Sequence, residues 1–132
     1  MTRKLLIGLV LAAIVGTPQV QAGKPKVSPE EQLQAMLVGF SPGEPMRCIQ
    51  TSKIRKMKIV DGTALVFTAG GLIYVNRPAD PSPLKHDLVP IFEPEGGRLC
   101  QSALVSLLTS GDLFYKGAIR LNEWIPYTRN GK

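Results

Sequence analysis

The chain has 132 residues, with 16 Lys plus Arg against 10 Asp plus Glu, a formal net charge of +6, 44% hydrophobic residues, one His, one Trp and two Cys. That length fits one domain. No stretch reaches the ~18 to 20 apolar residues of a membrane span, and 20% charged residues beside this apolar content argue against disorder. A membrane channel, a multidomain enzyme and a disordered tail are all disfavoured on these grounds.

Residues 1–22 read as a signal peptide. Arg3 and Lys4 precede the apolar run 5–16, Pro18 breaks the apolar helix, and Val20 and Ala22 put small side chains at the two positions a signal peptidase accepts. The expected cut follows Ala22. An uncleaved anchor is the alternative, but twelve apolar residues reach only ~18 Å as a helix against a hydrocarbon core of ~30 Å. No lipobox cysteine follows the run. Cleavage leaves 110 residues (132 less 22), and losing Arg3 and Lys4 lowers the formal charge from +6 to +4. The expected location is periplasmic or secreted, where a mildly basic protein has no nucleic-acid partner.

Residues 23–45 read as a flexible lead followed by a short amphipathic helix. Ser28 caps it, Pro29 suits its first position, and Glu31 completes a capping box. Leu33, Met36, Leu37 and Phe40 form one apolar face, and Gly39 with Pro42 ends the helix. So short a helix survives only by docking that face, on its own core or in a partner's groove.

Residues 46–128 read as a β-rich domain. From Cys48 the apolar period shortens to two, and residues 48–60 form one or two strands. Asp61-Gly62 marks a hairpin turn into 63–68, and Gly70-Gly71 a second turn into 72–76. Residues 77–87, with three prolines, read as a surface loop. A fourth strand covers 88–92, and Glu95-Gly96-Gly97 turns the chain into Leu99-Cys100. For residues 101–109 a short helix with Leu104, Leu107 and Leu108 inward is favoured over an edge strand. Further strands follow at 113–115 and 118–127, then a tail at 129–132. The fold class expected is α+β: a small antiparallel β-sheet or partly open β-barrel, one N-terminal helix, and a second short helix at 101–109.

Cys48 and Cys100 are the only cysteines, and both follow the expected cleavage site. In an oxidising compartment they form a disulfide. A loop of 52 residues (100 less 48) closed in this way destabilises the unfolded chain by roughly 4 kcal/mol in the chain-entropy model. Two thiols without a C-x-x-C pair, and one His, fall short of a zinc set, so no metal is expected.

The order Cys48-Ile49, Ile54, Asp61-Gly62, Gly70-Gly71, Tyr74-Val75-Asn76, Leu99-Cys100, then Gly117, Arg120-Leu121 and Pro126-Tyr127 resembles a family of small exported bacterial proteins classed as a domain of unknown function. The likeness covers residues 46–128. It implies an envelope location and carries no activity. Relatives in that pattern carry a further cysteine pair, one member in the loop around Pro81-Ser82-Pro83-Leu84 and one where this chain has Ile119.

His86, the sole histidine, sits between Lys85 and Asp87. A triad would have to use it, with Asp87 to orient it, yet no Gly-x-Ser-x-Gly elbow supplies a nucleophile. The carboxylates are scattered and no phosphate loop is present, so no cofactor is expected. Lys53, Arg55, Lys56 and Lys58 form the densest charge run, a solubilising edge strand or a site for an anionic surface. As a strand, the run would put Lys53 and Arg55 on one side and Lys56 and Lys58 on the other. Trp124 with Tyr127 is either a binding platform or the floor of the core. The leading expectation is a non-catalytic envelope module that binds an envelope protein or an anionic surface. An inhibitor of a secreted hydrolase acting through loop 77–87 comes second, and a small hydrolase using His86 third.

Overall fold

Ser28 starts the first element. Its hydroxyl accepts from the Glu31 N–H at 3.2 Å, and the Glu31 carboxylate accepts from the Ser28 N–H at 3.3 Å. With Pro29 at the first position, helix α1 runs Pro29–Met36. The protein is described here by a computed structural model covering residues 12–16 and 27–131. The expected signal peptide at 1–22, with its cut after Ala22, lies outside the described residues except for 12–16, which are exposed and belong to no helix or strand.

Gly39, at φ +84°, turns the chain out of the helix into β1 (Phe40–Pro42). There follow β2 (Cys48–Gln50), a 3-10 turn (Thr51–Lys53), β3 (Lys56–Val60), β4 (Ala64–Ala69), β5 (Leu72–Asn76) and β6 (Leu88–Ile91). The last four strands are β7 (Arg98–Cys100), β8 (Leu104–Thr109), β9 (Tyr115–Arg120) and β10 (Trp124–Arg129). They build three antiparallel sheets, ordered β1-β10-β5-β4-β3, β2-β7 and β6-β8-β9.

The centre of the five-stranded sheet, β4 and β5, is buried on both faces. Alternate residues of a strand point to opposite sides, and here each set has its own cover. Val60, Ala64, Val66, Ile73 and Val75 pack with Leu33 and Leu37 beneath α1. Ile59, Leu65, Phe67, Ala69 and Tyr74 pack with Val105, Leu107 and Ile119 of the three-stranded sheet and with Ile49 and Leu99 of the two-stranded one. Burial of a large aliphatic or aromatic side chain stabilises by roughly 1.5 to 3 kcal/mol, so these two clusters hold the layers together.

Two expectations need correction. The segment 101–109 is not helical: Gln101 and Ser102 form a turn, with Ser102 at φ +74°, and Leu104–Thr109 is strand β8. Val105 and Leu107 are buried while Leu104 is exposed, a period of two. Pairing with β6 on one side and β9 on the other satisfies its backbone, which an isolated helical turn of this length could not match. The antiparallel sheets with one N-terminal helix fit the α+β class, and the sheets do not close, since β3 and β1 end the large sheet as separate edges. The second correction concerns the segment ahead of Cys48. β1 comes from the segment expected as lead and helix, yet it pairs with β10, Phe40 opposite Arg129.

Cys48 and Cys100 lie directly opposite each other on β2 and β7 and form the disulfide. It staples a two-stranded sheet only three residue pairs long, which is too small to persist alone. Replacing Cys100 with Ser is expected to lower the unfolding free energy by about 2 to 4 kcal/mol in urea titration. A loss under about 1 kcal/mol would mean that Ile49 and Leu99 hold these strands without the bond.

Candidate functional site

The four basic residues do not form one strand. Lys53 closes the 3-10 turn, Arg55 lies in the connection with its N–H donating to the Thr68 carbonyl at 2.7 Å, and Lys56 and Lys58 stand on β3. All four are exposed. β3 is the outer strand of the large sheet and pairs with β4 alone. Among the described residues the ion pairs are Arg77 with Glu30 and His86 with Asp61, so these four cations have no carboxylate partner.

Strand alternation sorts what surrounds them. Lys56 and Lys58 share the α1 side of the sheet with Val60, while Met57 points with Ile59 to the other side. On that other side Met57, Thr51, Ile54, Phe92 and Pro94 line a groove of about 320 Å³ over Phe67 and Leu99. Phe92 meets Phe67 edge-on at 5.4 Å, which fixes its ring. Glu93 and Glu95, on either side of Pro94, line a different recess with Arg98. The groove beside Met57 has no signature in the local sequence, because its walls come from two separate segments, 51–57 and 92–94, over a floor from two more.

Trp124 and Tyr127 do not form a shared platform. Three residues apart on β10, they face opposite sides of the sheet: Trp124 is fully buried among the cluster that includes Phe67, and Tyr127 is partly buried beside the cluster under α1. The Trp124 indole N–H donates to the Leu99 carbonyl at 3.1 Å, locking the ring. Asn76, part of the Tyr74-Val75-Asn76 motif, is fully buried. Its amide donates to the Asn122 carbonyl at 2.7 Å and accepts from the Asn122 N–H at 3.0 Å, clamping the approach to β10. Cys48 and Cys100, as a disulfide, offer no free thiol.

The loop 77–87 is tied down at both ends. Arg77 makes a two-pronged pair with Glu30 of α1 at 2.7 and 2.9 Å, and Gly62, at φ +55°, donates its N–H to Leu84 at 2.9 Å. The hydrogen bond with Arg77 holds the Glu30 carboxyl below its usual range and raises the guanidinium in turn. Asp61, not Asp87, is the partner of His86: the carboxylate accepts the His86 backbone N–H at 2.6 Å and lies 2.9 Å from Nδ1. The hydrogen bond and charge of Asp61 raise the imidazole above its ordinary value. For Asp61 itself, desolvation pushes upward, and the side-chain and backbone hydrogen bonds of His86 together outweigh it, leaving the carboxyl lowered.

Among the described residues no group of three or more His, Cys, Asp or Glu is placed to hold a metal ion. The site therefore comprises an exposed basic edge, an apolar groove beside it, and a loop fixed by an imidazole–carboxylate pair. Among the described residues, the hydrogen-bond partner of His86 is Asp61.

The His86–Asp61 pair makes loop anchoring depend on pH. The raised imidazole contributes fully below its unfolded value of about 6.5 and ceases to contribute as pH rises through its folded value, whereas the lowered carboxyl ceases to contribute as acid protonates it. The urea midpoint of the wild type should exceed that of His86→Ala near pH 6, with the gap narrowing as pH is raised above the imidazole range. A gap independent of pH would show that the charge on the imidazole adds nothing to the loop's other ties. Comparison with protein-family models, curated proteins and solved structures gives no match for this chain.

Proposed function

We propose that the protein is an exported, non-catalytic binding module of the cell envelope that works through the basic edge of its large sheet. The observation that carries this is the set Lys53, Arg55, Lys56 and Lys58: four exposed cations within six residues, on and beside an outer strand, with no carboxylate partner among the described residues. Asp61, which lines a recess with Lys58, is engaged by His86, and the field of the four cations extends over a Debye length of about 8 Å at physiological salt. A disulfide between paired strands and the absence of a membrane-spanning helix among the described residues fit a periplasmic or secreted protein. Export through a peptide removed after Ala22 completes this assignment.

A second function, inhibition of a secreted hydrolase by loop 77–87, has one observation in its favour: the loop is preformed, held by Arg77, Leu84 and His86. Against it, Leu84 is fully buried, so the loop has no large exposed apolar residue to fill an enzyme pocket.

Two measurements test the leading function. The intact mass of the protein recovered from the producing cell's envelope or medium should correspond to a chain beginning at Gly23; a mass retaining residues 1–22 would refute cleavage. In sedimentation with envelope fractions, the purified mature protein should pellet at low salt and be released as ionic strength rises. Changing all four basic residues to Gln should reduce pelleting severalfold. Pelleting that ignores both salt and this change would return the four residues to the role of solubilising an exposed edge.

A further inference from the structure

Resting on that function, we infer that β3 accepts an added strand: an extended segment of a partner in which acidic and apolar residues alternate. Three features of the edge lead to this. β3 is hydrogen-bonded to β4 on one side, and among the described residues no backbone bond joins positions 56–59 to a loop or another strand on the other. An outer strand with a free row of N–H and C=O groups is a template for one more strand. The two sides of that added strand would then meet different surfaces, because β3 itself presents different surfaces above and below.

On the α1 side lie Lys56 and Lys58, exposed and, among the described residues, without a carboxylate ion-pair partner. On the opposite side lie Met57, 39% exposed, and the groove walled by Ile54, Phe92 and Pro94. Side chains of a paired strand alternate with the same period as those of β3. A partner strand laid along this edge therefore directs every second side chain toward the lysines and the intervening ones toward the groove. Acid on the first set and a branched or aromatic apolar residue on the second satisfy both. Charge complementarity selects the partner's sign, and the groove selects its alternate residues. Glu93 and Glu95 turn into the neighbouring recess with Arg98 and do not oppose the acids. A lipid headgroup would use the lysines but leave the groove and the free backbone row unused.

The test uses the mature, disulfide-bonded protein and three synthetic peptides of one composition: Glu and Val strictly alternating over eight residues, the same residues as one Glu block and one Val block, and the alternating peptide with N-methylated backbone on one edge. The alternating peptide should bind at least about tenfold more tightly than the blocked one, and N-methylation should abolish the difference. Lys56→Gln with Lys58→Gln should weaken the alternating peptide about threefold to tenfold and reduce its salt dependence. Met57→Glu, which adds an acid to the groove side of an exposed position, should weaken it while leaving the thermal midpoint near that of the wild type. Equal, salt-sensitive binding of alternating and blocked peptides overturns strand addition while leaving the basic-edge function standing. Binding of 7:3 phosphatidylcholine/phosphatidylglycerol vesicles with no binding of any peptide overturns it in favour of a membrane surface. Salt-insensitive behaviour toward peptides and vesicles alike overturns the basic-edge function as well.

Discussion

The rest of the structure depends on burying both faces of β4 and β5. Their sequences, Ala-Leu-Val-Phe-Thr-Ala and Leu-Ile-Tyr-Val-Asn, carry apolar residues on nearly every position, so neither face can be left to water. Two covers are therefore required, and they differ in kind. One face takes a single two-turn helix whose Leu33 and Leu37 reach Val66 and Val75. The other takes two small sheets, neither of which has enough strands to be stable apart from it. The disulfide belongs to the weaker of these two sheets. Cross-linking β2 to β7 secures Ile49 and Leu99 against Phe67 and Trp124, where three residue pairs of hydrogen bonding would not.

Covering both faces also buries polar groups that must find partners. Asn76 ends β5 inside the protein, where an unpaired amide would cost about 1 to 3 kcal/mol. It instead holds both backbone groups of Asn122. Trp124 brings an indole N–H into the same core and gives it to Leu99 of the two-stranded sheet. These bonds are directional where apolar packing is not, so they set how β10 enters the large sheet and how β7 lies across it. No buried side-chain nitrogen or oxygen among the described residues is left without a partner.

Much of this was legible locally. The capping box of Ser28 and Glu31, the Asp61-Gly62 and Gly70-Gly71 turns, the apolar face of the helix and the pairing of the only two cysteines are all written within a few residues or forced by count. What escaped depends on distance along the chain. The strand at Phe40–Pro42 has no pattern of its own and exists because β10 lies beside it. Leu104–Thr109 carries leucines that suit either a helix or a strand, and only its two neighbours decide. Asp87 is adjacent to His86 in sequence, whereas Asp61, 25 residues away, holds it. The groove beside β3 joins residues 51–57 to Phe92 and Pro94, a meeting that periodicity within one segment cannot signal.

The place of β10 has a consequence for the order of assembly. Although last in sequence among the strands, it is inserted between β1 and β5, which are separated from it by some of the longest contacts in the chain. Until it docks, β5 exposes its outer row of backbone groups, β1 has nothing to pair with, and the Trp124 ring is missing from the core. Closing such long loops is slow because their entropy is lost before the contacts form. The meander of β3, β4 and β5 is joined by tight turns, whereas the native sheet is complete only once β10 lies between β1 and β5.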